Sequence, residues 1–157
     1  MKATADATEI AEAVKAGKVT ARAVTEAALK RIERHNPMLG AFTDVTAERA
    51  LEQAELVDSK ISNAMDPGPL AGVPFAVKNL YDIKGIPTRA GSKINRDNPP
   101  AARDATLVTR LEAAGAVLLG GLNMDEYAYG FTGENAHDGA SRNPHGLDHM
   151  TGGSSAG

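Results

Sequence analysis

Apolar residues recur at helical spacing in three segments near the start of the chain, 7–16, 21–34 and 46–61. The apolar stripes are narrow and rich in alanine, so they would bury little surface against one another. We therefore expect residues 1–62 to form a helical layer that packs on another part of the fold. The positions predicted to face inward are Ile10 and Val14, then Val24, Ala28, Leu29 and Ile32, then Ala47, Ala50, Leu51, Ala54 and Val57.

Polar and helix-breaking residues predict where the first two helices begin and end. Asp6 with Glu9 three positions later is a capping-box pattern, and Gly17 is suited to end the helix that follows. Thr20 is a candidate cap for the second helix, which the run 35–37, His-Asn-Pro, is expected to stop.

A different pattern begins at Leu70. Residues 70–78 are almost continuously apolar, which predicts a strand buried on both faces. Residues 105–114 have helical periodicity, and 116–120 form a second short apolar run. Strand, helix and strand in this order predict a βαβ unit with parallel strands and hence an α/β fold. An extended piece at 39–45 is also predicted.

Polar segments connect these elements. Residues 62–69 form a Pro/Gly-containing connector, and 82–98 reads as a loop. A helical turn is predicted at 124–129. Residues 132–150 form a long loop rich in Gly, Asn, Asp and His, of a kind that is usually functional or disordered.

The composition excludes several functions. The 157 residues carry a formal net charge of −3 without basic clusters, and aromatic residues make up 4%, so neither a nucleic-acid nor an anionic-membrane surface is indicated. There is no Cys for disulfides, thiolate catalysis or thiolate metal sites. The acidic N-terminal residues do not fit a signal peptide, and the apolar runs are too short to span a bilayer. We expect a soluble cytoplasmic protein.

Lys78 is the first residue with candidate chemistry, because it ends the apolar run 70–78. A strand-end lysine commonly reaches solvent with its charge intact. If it is buried instead, desolvation lowers its pKa and it can act as a general base. The position alone leaves both interpretations open.

The segment 151–157, Thr-Gly-Gly-Ser-Ser-Ala-Gly, places two hydroxyls among residues with little side chain. Such segments are often flexible loops or anion-binding nests. A catalytic serine needs a base, and neither His145 nor His149 is suitably patterned, since Gly146 argues against a helical pair and no HExxH motif is present. A lysine is the remaining base, as in Ser–Lys variants of the catalytic triad.

Residues 123–126, Asn-Met-Asp-Glu, follow the second apolar run, where α/β folds place functional loops. They equally fit the start of a helix with acidic residues at its positive end. The glycines at 115–121 do not form a GxGxxG dinucleotide fingerprint.

Taken together, four motifs resemble the amidase signature family in the order in which that family carries them. They are the strand and lysine at 70–79, Asp104-Ala105-Thr106 with residues 111–115, the run 123–126, and Gly152-Gly153-Ser154-Ser155. The match extends from about Leu70 to Gly157, and the preceding helices fit. The resemblance implies an α/β amidase signature fold, in which helices cover a mixed β-sheet core. Residues 1–157 would be the N-terminal part of one such domain, so the fold would be incomplete in this chain.

The resemblance also implies roles for individual residues. Lys78 would be the base and Ser154 the relay serine, carried in a cis peptide bond. The nucleophilic serine belongs to a later D-x-G-G-S-type segment that these residues do not include, so the chain alone is expected to be inactive and poorly stable. Ala156 stands where the family usually has Gly. The methyl group of alanine is tolerable there only if the backbone is not left-handed. The residues expected to support or bind substrate are Gly152, Gly153, Ser155, Asn123, Met124, Asp125 and Tyr127.

The implied reaction is hydrolysis of an amide C–N bond without metal or organic cofactor. The closest patterns are those of hydrolases of ureides such as 1-carboxybiuret, which would release ammonia, and of the glutaminase component of glutamyl-tRNA(Gln) amidotransferases. A small accessory subunit and a homo-oligomer are expected partners of the complete protein, with no direct contact to nucleic acid or membrane. A non-catalytic protein that binds an anion at 152–157 is the alternative from another class.

Overall fold

The computed structural model of the chain describes residues 5–157. They form four helices, a three-stranded sheet and a two-stranded hairpin, with short 3₁₀ turns at Lys93–Asn95 and Glu126–Ala128. In chain order the helices and strands are α1 (Ala7–Lys15), α2 (Ala21–Leu39), β1 (Phe42–Val45), α3 (Ala47–Ser62), β2 (Pro74–Lys78), α4 (Thr106–Ala113), β3 (Val117–Leu122), β4 (Glu134–Asn135) and β5 (Gly139–Ala140).

The first helix begins as the sequence predicts. The Asp6 carboxylate accepts a 2.8 Å hydrogen bond from the Glu9 N–H, and the Glu9 carboxylate accepts one of 3.0 Å from the Asp6 N–H. These two bonds complete the capping box, which satisfies two N–H groups that have no partner within the helix.

The predicted end of α2 is wrong. The helix continues through Pro37 to Leu39 and ends at Gly40, which has a φ of +61° and donates a 2.8 Å hydrogen bond to the Asn36 carbonyl. This geometry is a left-handed helix stop, which glycine adopts without steric cost. Pro37 lies in the last turn of the helix. Because proline has no N–H group, only one backbone hydrogen bond is lost there.

The three-stranded sheet has the order β1-β3-β2. Strands β1 and β3 are antiparallel, with Phe42 opposite Leu122 and Val45 opposite Gly120. Strands β2 and β3 run in the same direction, because hydrogen bonds join Val117 to Val73 near their starts and Asn79 to Leu122 at their ends. The sheet is therefore mixed, and α4 forms the predicted parallel connection.

Burial differs between the two parallel strands. All but the last residue of β3 are buried, whereas only Val77 is buried in β2. The expectation that residues 70–78 form a strand buried on both faces is thus wrong in two respects. Residues 70–72 form turns ahead of the strand, and the strand itself is mostly half-buried.

Residues cluster into two compact units. The first contains, among the described residues, 5–30, 46–75 and 106–119. Its interior is apolar, and Thr25 is the one buried polar side chain in these three ranges. The buried apolar residues are Ala11, Val14, Ala21, Val24, Ala28, Ala50, Ala54, Val57, Ala71, Val73, Val108, Ala116, Val117, Leu118 and Leu119.

The second unit contains residues 31–45, 76–105 and 120–157. Far fewer apolar side chains are buried here, and most buried side chains are polar. The buried apolar residues are Val77, Ile83, Met124 and Ala156, and the buried polar residues are Asn79, Ser92, Asn123, Asp125, Asn135 and Ser141. The candidate site lies entirely within this unit.

None of the helices among residues 5–157 has both the length and the apolar character that a bilayer-spanning segment requires.

Candidate active site

One contact between residues far apart in sequence defines the site. Lys78 is the last residue of β2, and Ser154 lies in the glycine-rich segment 151–157. The Nζ atom of Lys78 donates a hydrogen bond of 2.7 Å to Oγ of Ser154, and the two positions are 76 residues apart. Both residues are half-buried. The structure therefore brings together the two side chains that the family resemblance assigns as base and relay.

The backbone of segment 151–157 fixes the position of the Ser154 hydroxyl. The peptide bond between Gly153 and Ser154 is cis, and Gly152 has a φ of +83°, which favours glycine. The Ser154 carbonyl accepts a 3.1 Å hydrogen bond from the Asp125 N–H. Ser155 forms an isolated antiparallel bridge with Met124. The segment is thus attached to the residues that follow β3.

Burial changes the basicity of Lys78. Desolvation lowers the pKa of its ammonium group from the ordinary lysine value, and the nearby negative charge of Asp125 opposes this with a smaller upward effect. Desolvation disfavours the charged form, so the neutral amine is more available than in a solvated lysine. A neutral amine within hydrogen-bond distance of a hydroxyl can accept its proton, which is the arrangement that general-base catalysis needs.

Asp125 lies beside this pair but does not form an ion pair with it. Its side chain is 3% exposed, and neither carboxylate oxygen has a hydrogen-bond partner among the described residues. The carboxylate packs against two glycines, since a Cβ atom added at Gly130 or Gly153 would collide with it. Asp125 therefore acts on Lys78 through its charge, binds Ser154 through its backbone N–H group and packs on Gly153.

Asn123 and Met124 are buried residues next to the site. The buried Asn123 amide donates to the carbonyls of Gly40 and Gly139 at 3.1 and 3.0 Å, and its oxygen accepts a 2.8 Å bond from the Met124 N–H. The Asn123 carbonyl accepts from the N–H groups of Ala156 and Gly157. Both side chains are buried, and the Asn123 amide joins two loops of the unit.

The remaining predicted residues are placed differently. Tyr127 is 54% exposed, and its hydroxyl accepts a 3.2 Å bond from the Asn95 amide rather than contacting the Lys78–Ser154 pair. Ser155 is exposed beside the relay serine. Ala156 is buried and is absent from the residues with positive φ, so the condition for a methyl group at this position is met.

Two buried asparagines that organise the site were not predicted. Asn79 accepts a 2.9 Å bond from the Gly91 N–H and donates to Oγ1 of Thr43. Asn135 donates to the carbonyls of Gly91 and Met124 at 2.8 and 2.7 Å. The sequence signal for Asn79 is its position directly after Lys78. Asn135 lies in the polar loop 132–150 and has no distinguishing signal.

The histidines at 145 and 149 do not form a metal centre with other residues. Within the part of the chain that the structure describes, no group of three or more His, Asp or Glu side chains is arranged to hold a metal ion.

Comparison with known proteins identifies relatives over almost the whole chain. Residues 23–157 match the protein-family profile described as Amidase. The chain is 55% identical over 149 residues to the 1-carboxybiuret hydrolase subunit AtzE of Pseudomonas sp. (strain ADP). The aligned residues make up 95% of this chain and 33% of that relative. The chain is 46% identical over 153 residues to a glutamyl-tRNA(Gln) amidotransferase subunit of Bdellovibrio bacteriovorus, which covers 98% and 31%. The chain thus spans about a third of the length of these relatives.

Solved structures resemble the chain over the same extent. The structure of a vestigial protein complex that bears on the origins of an s-triazine catabolic enzyme has a TM-score of 0.95 at 53% identity, covering 97% of this chain and 33% of that chain. A bacterial aryl acylamidase of the amidase signature family has a TM-score of 0.89 at 31% identity, covering 97% and 32%. The peptide amidase of Stenotrophomonas maltophilia has a TM-score of 0.88 at 33% identity, covering 98% and 33%.

Proposed function

The chain belongs to the amidase family, and from that premise we propose that it supplies the base and the relay serine for hydrolysis of an amide C–N bond. The predicted amidase signature fold is confirmed, because solved enzymes of that family superpose on nearly the whole chain. The observation that carries the proposal is the 2.7 Å hydrogen bond between Lys78 and Ser154, made by a lysine whose pKa is lowered by burial.

The third catalyst lies outside these residues in the proposed mechanism. The resemblance implies a nucleophilic serine in a D-x-G-G-S-type segment, and residues 1–157 contain no such segment. We expect the 157 residues by themselves to show no turnover, and we assign all of them to one amidase domain. Hydrolysis then requires a serine from outside this stretch, placed within hydrogen-bond distance of the Ser154 hydroxyl.

The proton moves along the relay in both halves of the reaction. Neutral Lys78 accepts the Ser154 proton as Ser154 accepts that of the nucleophile, whose oxygen forms a bond to the amide carbonyl carbon. Backbone N–H groups near the nucleophile stabilise the oxyanion, and loss of one such donor typically costs ~3 kcal/mol. The proton then returns through Ser154 to the leaving nitrogen as the C–N bond breaks. Water hydrolyses the resulting acyl ester by the same relay.

The substrate class we propose is a ureide such as 1-carboxybiuret, with release of ammonia. Support comes from the 55% identity to a 1-carboxybiuret hydrolase subunit. The alternative is a glutaminase that acts within a tRNA-dependent amidotransferase, supported by 46% identity to one component of that enzyme. Both relatives are named as subunits, so we also propose that the complete protein has an accessory subunit.

The test replaces Lys78 in the protein expressed at its natural length. Lys78→Ala removes the general base, which should lower kcat/KM for ammonia release from carboxybiuret by at least ~100-fold. Lys84→Ala, at an exposed lysine whose side chain is outside the site, is the matched control and should retain activity. Ammonia release from glutamine under the same conditions decides between the two substrate classes.

Near-normal activity of Lys78→Ala, with thermal unfolding unchanged, would refute the base assignment. An unmodified protein that hydrolyses neither substrate but binds inorganic phosphate would instead support an anion-binding role for segment 152–157.

A further inference from the structure

We propose that Asp125 is a positioning residue for the proposed reaction, which holds the Gly153–Ser154 segment in place and keeps a negative charge facing Lys78. This inference rests on the proposed function and assigns a task to a residue that takes no part in the proton relay itself. It follows from burial, packing and hydrogen bonding around one carboxylate.

Asp125 contacts both residues of the peptide unit that presents the relay hydroxyl. Its N–H donates a 3.1 Å hydrogen bond to the carbonyl of Ser154, and its carboxylate occupies the space that a side chain at Gly153 would need. The carboxylate is also confined by Gly130, where an added Cβ would collide with it as well. Movement of Asp125 would therefore displace the Ser154 hydroxyl.

The carboxylate is unusual because it is buried without a donor. Both oxygens are inaccessible and lack hydrogen-bond partners among the described residues, and the side chain is 3% exposed. Burial of an unpartnered carboxylate costs free energy that a neutral residue of the same shape would avoid. A buried charge that is retained at such a cost next to a catalytic base is a candidate for function.

The charge acts on Lys78 rather than on another neighbour. Asp125 is the charged group that raises the pKa of Lys78 against the larger lowering by desolvation. Other charged groups of the same unit have partners of their own. Glu126 accepts a 2.6 Å bond from Ser92 and lies 3.3 Å from His137, and Arg89 pairs with Asp44 and Asp138.

The sign of the pH effect follows from this arrangement. Lys78 can accept a proton only when it is neutral, so its ionisation sets the acid limb of the kcat/KM profile. The Asp125 charge stabilises the ammonium form and holds that limb at higher pH. Removal of the charge should move the limb to lower pH, whereas a purely structural defect would lower the rate at all pH values without moving it.

The experiment compares pH profiles of the natural-length protein with those of Asp125→Asn, which keeps the shape of the side chain. We expect the acid limb of Asp125→Asn to lie at lower pH than that of the unmodified protein. Asp125→Ala, which also removes the packing on Gly153, should in addition lower the plateau by ~100-fold, the scale of loss for a misplaced catalytic group. Glu126→Gln removes the neighbouring carboxylate and should leave the limb in place.

An unmoved limb in Asp125→Asn, or an equal shift in Glu126→Gln, would overturn the inference. Asp125→Ser provides a second, smaller variant, and failure of both Asp125→Asn and Asp125→Ser to fold would also overturn it, because a positioning residue is dispensable for folding. If Lys78→Ala retains the acid limb, the proposed function fails. If Lys78→Ala abolishes activity while Asp125→Asn leaves the limb unmoved, only the present inference fails.

Discussion

Different interactions stabilise the interiors of the two compact units. The first unit, which includes residues 46–75 and 106–119, buries aliphatic side chains from helices and strands, and Thr25 is the one buried polar side chain among its described residues. The second unit, which includes residues 120–157, buries six polar side chains and four apolar ones. Its order comes from hydrogen bonds between buried side chains and loop backbones.

The difference reflects what each unit has to position. Helices and strands satisfy their own backbone groups, so apolar packing is enough to stabilise them. A loop carries backbone N–H and C=O groups that burial would leave unpaired. Asn79, Asn123 and Asn135 satisfy such groups on several loops at once. Asn79 directly follows Lys78, so its hydrogen bonds anchor the residue next to the proposed base.

The largest expected effect comes from Asn123 in the second unit. Asn123→Ala removes three hydrogen bonds that the buried Asn123 side chain makes to backbone groups. At about 1–2 kcal/mol for each bond, the free energy of unfolding should fall by about 4 kcal/mol. Hydrogen exchange measured by mass spectrometry should show protection lost first at 120–157.

Asn98→Ala is the matched control for this prediction, because Asn98 is exposed and its amide makes one long bond of 3.4 Å. If the two variants were equally stable, buried asparagines would not hold the second unit together. The contrast between the units would then have no energetic basis.

A somewhat smaller effect is expected from Leu118 in the first unit. Leu118 is fully buried, and Leu118→Ala should lower the free energy of unfolding in urea by about 3 kcal/mol through lost burial and the cavity left behind. Arg22→Ala is the surface control in the same unit. Its ion pairs with Glu26 and Glu55 are exposed, so their loss should cost less than about 1 kcal/mol. Equal effects of the two substitutions would contradict an apolar core for this unit.

Much of the first unit could be predicted from the sequence. Ala50, Ala54 and Val57 repeat at helical spacing and are buried, and the capping box of Asp6 and Glu9 is present. These features depend on interactions between near neighbours in the chain, which periodicity and capping rules describe directly. The end of α2 lies in the second unit, and it differs from the prediction because Gly40, rather than Pro37, ends the helix.

The second unit was less predictable, because its order depends on contacts between distant residues. The 2.7 Å bond between Lys78 and Ser154 joins positions 76 apart, and no local pattern specifies it. Both residues were assigned through a family resemblance. Tyr127 was grouped with the site by its motif but is half-exposed, and Asn135 carries no local signal although it ties two loops together.

The most direct test of the proposed mechanism is the ionisation of Lys78 itself. It can be followed by ¹³C NMR of lysine labelled at Cε, with the Lys78 signal assigned by its absence in Lys78→Arg. The mechanism predicts that this lysine titrates below the ordinary lysine pKa, because desolvation outweighs the charge of Asp125. A Lys78 pKa at or above the ordinary value would contradict it, since the side chain would then be a charged ammonium group and not a base for Ser154.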